Sequence, residues 1–240
     1  AMIVRPKEGI WGTDKRPCMI ACADDLSKDQ TYFLYRIPSE ILEKVRFPLA
    51  NVHKTEVFEL AKKANLEAAN RKESQDFIDA EYFDILFSDK PSIPGDFVDV
   101  NGKVLGRHKG IEHYTIGQRR GLGVSAKNPL YVLKIDAEKN RVVLAEKTDL
   151  SSKSLIADDF VWPGNVEPNE VFEGMIKIRL RSNSIMATIE RYTPGPDDTH
   201  EYIGQPWKFT FDQVQTAVTP GQSVVIYKDN VILGGGIIVK

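Results

Sequence analysis

The residues best suited to chemistry lie between positions 101 and 123, in the run NGKVLGRHKGIEHYTIGQRRGLG. Six glycines alternate there with cationic side chains, at Lys103, Arg107, Lys109, Arg119 and Arg120. Glycine lets the backbone approach a partner closely, and Lys and Arg neutralise phosphates. The run fits binding of a polyanion, and its composition fits a set of tight hairpin turns with ordinary surface charges about equally well.

A second group of cations lies in the run MIKIRLR, at Lys177, Arg179 and Arg181. They alternate with Ile176, Ile178 and Leu180, and this period of two predicts a half-buried strand. The three cations would then share one face at about 6.5 to 7 Å intervals, close to the phosphate repeat of a nucleic-acid strand. The alternative is a charged, solvent-facing side of a barrel strand.

Composition limits where such a site can lie. The 240 residues are 42% hydrophobic and carry a net charge of -2, so a polyanion site must be a local patch on a mildly acidic body. The sequence shows neither a membrane span nor a signal peptide, which predicts a cytoplasmic protein. The four histidines lack the spacing of a zinc site, so no metal is expected.

Cys18 and Cys22 are the only cysteines. They lie four residues apart in an apolar run typical of a strand, where side chains at that spacing share a face but are too distant to bridge easily. Buried structural thiols are therefore favoured over a redox or metal pair.

The run GRHKGIEHYTIGQRRGLG resembles the central segment of the bacterial tRNA 2-thiouridylases, the MnmA/TrmU family. Two other segments strengthen the likeness. Residues 28–34, KDQTYFL, are similar to the family's KDQ(S/T)YFL segment, and TPGQ at 219–222 followed by LGGGII at 233–238 is similar to its C-terminal signature. The resemblance spans nearly the whole chain.

The resemblance implies which residues contact tRNA. Lys28, Asp29 and Gln30 match a tripeptide that contacts tRNA in the family, and Gln222 is carried over likewise. Arg179 and Leu180 align with an Arg-Tyr pair that contacts tRNA in the family. This chain therefore has leucine at the position where the family has an aromatic ring. With Arg119 and Arg120 from the glycine-rich run, these eight residues form the predicted tRNA-binding set.

Other family features are missing from the sequence. The family's SGGxDSS loop, which cradles ATP phosphates, does not occur, and Ser74-Gln75 is followed by Asp76-Phe77-Ile78 where the family normally carries a cysteine. The resemblance thus implies ATP with Mg and a sulfur-donor protein for the intact enzyme, with the ATP site absent from this chain. The catalytic residues stay unknown, and this chain alone is expected to be inactive.

The predicted fold class is α+β, in three parts. Residues 1–90 are expected to be a helical remnant of a PP-loop (Rossmann-like) domain, residues 91–152 a central β-rich domain, and residues 153–240 an antiparallel β-barrel that grips tRNA. Helices are predicted within 38–66, the second with a buried stripe at Val57, Leu60, Ala61 and Ala64. Short strands near residues 160, 175, 186, 208, 223 and 231 predict the barrel.

The preferred function is the tRNA-binding part of a tRNA-uridine 2-sulfurtransferase that thiolates wobble uridine 34. One alternative is a non-catalytic RNA-binding paralogue or regulatory module with a translation-factor-like barrel. The other is a purely structural barrel, which would have no affinity for RNA.

Overall fold

The computed structural model of the protein describes residues 1–70, 92–180, 182–216 and 218–240. They divide into two compact units. The first unit combines residues 1–70 with 153–214 and 220–240, and the second falls within residues 71–152 together with 215–219. The predicted three-part division at residues 90 and 152 stays a prediction.

The regular elements are short. The α-helices are α1 (Ser39–Leu42) and α2 (Lys54–Lys63). The strands are β1 (Met2–Val4), β2 (Met19–Ala21), β3 (Gly95–Val98), β4 (Val104–His108), β5 (Tyr131–Asp136), β6 (Arg141–Ala145), β7 (Ser151–Val161), β8 (Phe172–Lys177), β9 (Ile185–Arg191), β10 (Trp207–Thr216), β11 (Ser223–Lys228) and β12 (Val231–Ile238). This content confirms the α+β fold class. None of the described helices has the length and apolar character needed to cross a membrane.

Six strands of the first unit close into a barrel. Their order is β12-β11-β8-β9-β10-β7, and antiparallel pairing of β7 with β12 completes the circle. Alternate residues of β10 face the interior of this barrel: Trp207, Phe209 and Phe211 point inward and are at most 5% exposed. The predicted antiparallel barrel is confirmed.

Residues 1–36 are tied to this barrel. β2 pairs with β1 and, through Ala21, with Val231 of β12, which extends the sheet to eight strands. The thiols of Cys18 and Cys22 are free and buried, as predicted, in a core cluster with Tyr32 and Tyr35. Residues 1–70 therefore contribute strands as well as helices.

The helical prediction for residues 38–66 is only partly right. α1 spans a single turn, and α2 ends before Asn65, whose φ of 50° is left-handed. The predicted stripe is not buried, because Leu60 is 55% exposed and α2 contains no buried residue. Periodicity indicates that apolar residues share a face, but it does not supply the surface that would cover them.

The glycines at 234–236 allow close packing. A Cβ atom on Gly235 would lie 2.6 Å from Cδ2 of Tyr35 and 2.8 Å from the carbonyl oxygen of Val224. Gly234 and Gly236 are similarly crowded. The run is therefore explained by close approach of backbone and aromatic rings to β12.

We expect Gly235→Ala to lower the free energy of unfolding by roughly 1 to 3 kcal/mol, because the added methyl group overpacks the interior. Gly195→Ala is the matched control, since its Cβ meets nothing within 4 Å. Urea denaturation measures both variants. Equal stability of the two would contradict this account of the glycine run.

The second unit contains a four-stranded sheet in the order β4-β3-β6-β5. β3 pairs parallel to β6, and the other two pairings are antiparallel. β5 and β6 form a hairpin, with Asn140 at a φ of 48° in its turn. One face packs a core of Phe97, Leu122, Val132, Val142 and Leu144.

Candidate nucleic-acid interface

Two short 3-10 helices, Leu26–Lys28 and Thr31–Phe33, hold the Lys28–Gln30 segment. The carboxylate of Asp25 fixes the start of the first, because it accepts a hydrogen bond from the Ser27 amide at 3.1 Å. The segment is therefore an ordered loop with a defined backbone path.

Side chains of this segment alternate between solvent and interior. Lys28 and Gln30 are exposed, whereas Asp29 between them is buried. The ring of Phe33 is 61% exposed and lies edge-on to the buried ring of Tyr32. The surface thus presents a cation, an amide and an aromatic face, the groups that proteins use to contact phosphates and unstacked bases.

Two tyrosines connect this segment to the start of β11. The Tyr32 hydroxyl donates to the carbonyl oxygen of Ser223 at 2.8 Å, and the Tyr35 hydroxyl lies 3.1 Å from Oγ of Ser223. Gln222, next in sequence, is half-buried, and its carbonyl oxygen accepts the Ile238 amide. The structure therefore brings Gln222 to the Lys28–Gln30 segment, although about 190 residues separate them.

The strand predicted for residues 175–181 is right as far as Lys177 and wrong beyond it. β8 ends at Lys177, and the chain turns so that the Arg179 carbonyl oxygen accepts hydrogen bonds from the Ser182 amide at 3.1 Å and hydroxyl at 2.8 Å. This local turn replaces the expected strand spacing of the cations. Arg181 lies outside the described residues.

Arg179 and Leu180 nevertheless belong to the same surface. Leu180 packs against the core cluster that contains Tyr32 and Tyr35, and Arg179 is exposed beside it. Burial raises the pKa of Tyr32 to about 12, and the nearby charge of Arg179 opposes that rise. Six of the eight predicted residues thus lie at or beside the core cluster that contains Tyr32 and Tyr35, and we call this set the Tyr32 face: Lys28, Asp29, Gln30, Arg179, Leu180 and Gln222.

Arg119 and Arg120 lie in the second unit, on a loop whose backbone is well fixed. The Gln118 side chain accepts the Thr115 amide at 3.0 Å and donates to the carbonyl oxygen of Arg120 at 2.9 Å. Leu122 anchors the same loop in the core of the unit. Both arginine side chains are exposed.

A cavity of about 370 Å³ opens beside this loop. Its wall contains the cations Arg119 and Lys127 and no acidic residue. Gly121 and Gly123 contribute backbone at φ values of 75° and 66°, which favour glycine. A cationic cavity lined by backbone suits an anion such as a phosphate.

Sequence reasoning missed two contributors, Thr31 and Lys127, whereas Lys177 was one of the predicted cations of the MIKIRLR run. Lys177 lies over the ring of Tyr227, with Nζ 5.5 Å from the centroid. Thr31 was treated as part of a motif, and Lys127 stood outside the glycine-rich run. Of these two, only Lys127 could have been identified from the sequence, as a cation four residues after Gly123.

No metal centre is evident in residues 1–70, 92–180, 182–216 and 218–240, where no three His, Cys, Asp or Glu side chains gather as ligands do. The position after Ser74-Gln75, where the family normally has a cysteine, lies outside the described residues.

Comparison with protein families identifies three consecutive domains. Residues 8–79 match the tRNA methyl transferase HUP domain, residues 84–146 the tRNA methyl transferase PRC-barrel domain, and residues 152–238 the aminomethyltransferase beta-barrel domain. Together these matches extend along nearly the whole chain.

Curated relatives agree with this result. The chain is 44% identical over 219 residues to the tRNA-specific 2-thiouridylase MnmA of Endomicrobium trichonymphae, covering 90% of this chain and 58% of the relative. It is 38% identical over 234 residues to that of Chlorobium phaeobacteroides (94% and 62%), and 43% over 225 residues to that of Syntrophomonas wolfei (89% and 61%). The chain therefore spans about three-fifths of the length of these relatives.

The HUP domain suggests ATP binding, so the described residues should contain a triphosphate site if they include one. A triphosphate at a helix N-terminus needs a glycine-rich loop whose amides face the phosphates. Gly9 and Gly12 are the only glycines before residue 95, and neither precedes an α-helix. The described residues do not fit the triphosphate.

Proposed function

Because this chain belongs to the tRNA-specific 2-thiouridylase family, we propose that it is the tRNA-binding part of a tRNA-uridine 2-sulfurtransferase that thiolates wobble uridine 34. The observation that carries the proposal is the Tyr32 face, where residues from three distant parts of the sequence meet. Exposed Lys28, Gln30 and Arg179 supply charge and hydrogen-bonding groups for RNA.

The Arg119 loop provides a second RNA contact under this proposal. Its fixed backbone and its cavity with Lys127 suit a backbone phosphate. Phosphate contacts of this kind position an RNA without reading its sequence.

The intact enzyme would also need an activating nucleotide and a sulfur source. We infer that ATP with Mg and a sulfur-donor protein act through parts of the family's proteins that this chain does not span. A cytoplasmic location is part of the same proposal, because the substrate is tRNA.

A second candidate is a non-catalytic RNA-binding paralogue. The observation that favours it is the absence of a cysteine after Ser74-Gln75, since a thiol is needed to carry sulfur. Under this reading the RNA surfaces remain and the chemistry is lost.

Filter binding of labelled tRNA to the chain at low salt tests RNA binding itself. We expect saturable binding that an excess of unlabelled tRNA displaces and that an equal mass of an acidic polypeptide does not. A purely structural barrel would retain no tRNA, and that outcome would refute both RNA-binding proposals.

We further expect that this chain alone makes no 2-thiouridine from tRNA, ATP and sulfide. Burial raises the pKa of the Cys22 thiol, which leaves it protonated and unreactive at neutral pH. Retardation of tRNA on a mercury-containing gel measures thiolation. A retarded band would contradict this expectation and would direct attention to Cys18 and Cys22.

A further inference from the structure

A buried polar cluster adjoins the Tyr32 face and shares Asp29 with it. Thr31 is fully buried, and its Oγ1 lies 2.6 Å from Oδ2 of Asp29, 3.2 Å from the Tyr227 hydroxyl and 3.7 Å from Sγ of Cys22. We call these four residues the Thr31 cluster. All of them are at most 8% exposed.

The direction of each hydrogen bond follows from the chemistry of the groups. The Thr31 hydroxyl donates its single proton to the carboxylate oxygen of Asp29, so its two lone pairs remain as acceptors. Tyr227 and Cys22 can therefore only donate to Thr31. Burial raises the pKa of the Tyr227 phenol and of the Cys22 thiol, so both keep the protons that these bonds require.

This cluster connects distant parts of the chain. Asp29 lies between the exposed Lys28 and Gln30, whereas Tyr227 lies on β11, 196 residues from Thr31. Nζ of Lys177 lies over the Tyr227 ring. The hydroxyls of Thr31 and Tyr227 thus attach the Lys28–Gln30 segment to the barrel wall.

We propose that Thr31 and Tyr227 are positioning residues for RNA binding, which hold the Asp29 carboxylate below the surface and thereby fix Lys28 and Gln30 where RNA meets them. The inference rests on the proposed function. It gives Asp29 a new role, because a side chain 8% exposed and hydrogen-bonded inward acts through its neighbours. Asp29, predicted as a direct tRNA contact, is then a support for the contacts on either side.

Thr31→Val and Thr31→Ser form the central comparison. Valine keeps the shape of threonine and removes the hydroxyl, leaving the Asp29 oxygen and the Tyr227 hydroxyl unpaired, whereas serine keeps all three hydrogen bonds. We expect Thr31→Val to weaken tRNA binding about tenfold, and Thr31→Ser to bind within about twofold of the wild type. Tyr227→Phe should weaken tRNA binding by a similar factor, because it removes the hydroxyl that donates to Thr31 while the ring stays under Lys177.

A general loss of stability is separated from positioning in two ways. Tyr192→Phe removes a half-buried hydroxyl that donates to Asp198 in the same unit, and it should leave tRNA affinity unchanged. Lys28→Ala should weaken tRNA binding in the wild type. It should have little further effect in Thr31→Val, because a misplaced Lys28 no longer contributes to tRNA affinity. Additive effects of Lys28→Ala and Thr31→Val would overturn the proposal.

Amide hydrogen exchange supplies a readout that does not depend on RNA. Exchange over residues 26–33 should quicken in Thr31→Val and stay at the wild-type rate in Thr31→Ser and Tyr192→Phe. Unchanged exchange in Thr31→Val would overturn the positioning role. Failure of the wild type to bind tRNA, with faster exchange in Thr31→Val, would instead refute the proposed function.

Discussion

Replacing Phe209 by alanine is expected to lower the free energy of unfolding by about 3 to 5 kcal/mol. Phe209 is fully buried in β10, opposite Ile189 of β9, and its ring stacks on Phe160 at a centroid distance of 6.0 Å. Alanine would leave a cavity at the centre of the barrel, where the closed strands restrict collapse. Urea denaturation monitored by tryptophan fluorescence measures the change.

Phe33→Ala is the matched control for this prediction. The Phe33 ring is 61% exposed, so its removal should change the free energy of unfolding by no more than about 0.5 kcal/mol. Similar losses for the two variants would show that β10 does not face the core as described.

Replacing Arg179 by alanine is expected to weaken tRNA binding about tenfold while the melting temperature stays close to that of the wild type. Arg179 is exposed at the turn after β8, and exposed substitutions rarely change stability by more than about 0.5 kcal/mol. Filter binding and calorimetry measure the two quantities.

Lys208→Ala controls for the loss of a positive charge. Lys208 lies on β10 and pairs with Glu190 of β9 at 3.1 Å, and it is not one of the predicted tRNA-binding residues. Its removal should leave tRNA affinity nearly unchanged. An Arg179→Ala protein that unfolds, or that binds tRNA as well as Lys208→Ala does, would contradict an RNA-contacting role for Arg179.

The barrel was predictable because alternation along a strand directly records which side is buried. Trp207, Phe209 and Phe211 point inward as their period of two requires. The end of β8 was not predictable, since the turn after Lys177 depends on hydrogen bonds from Ser182 to the Arg179 carbonyl oxygen. The predicted burial of Leu60 was wrong for a related reason, because helical periodicity does not show whether another surface covers the apolar face.

The candidate site was predictable only through resemblance. Lys28-Asp29-Gln30 is an unremarkable polar tripeptide by itself, and its conjunction with Gln222 arises from the Tyr32 hydrogen bond to Ser223. The burial of Asp29 and the role of Thr31 depend on Tyr227, which is remote in sequence. Such long-range hydrogen bonds leave no local pattern.

The salt dependence of tRNA binding tests the central claim most directly. Five cations are proposed to contact RNA phosphates: Lys28, Arg119, Arg120, Lys127 and Arg179. If each neutralises one phosphate, a plot of log Kobs against log salt concentration should be linear with a slope of about -3.5 to -4.5, and Arg179→Ala should make it shallower by about 1. A flat plot, or a slope that Arg179→Ala leaves unchanged, would contradict the account.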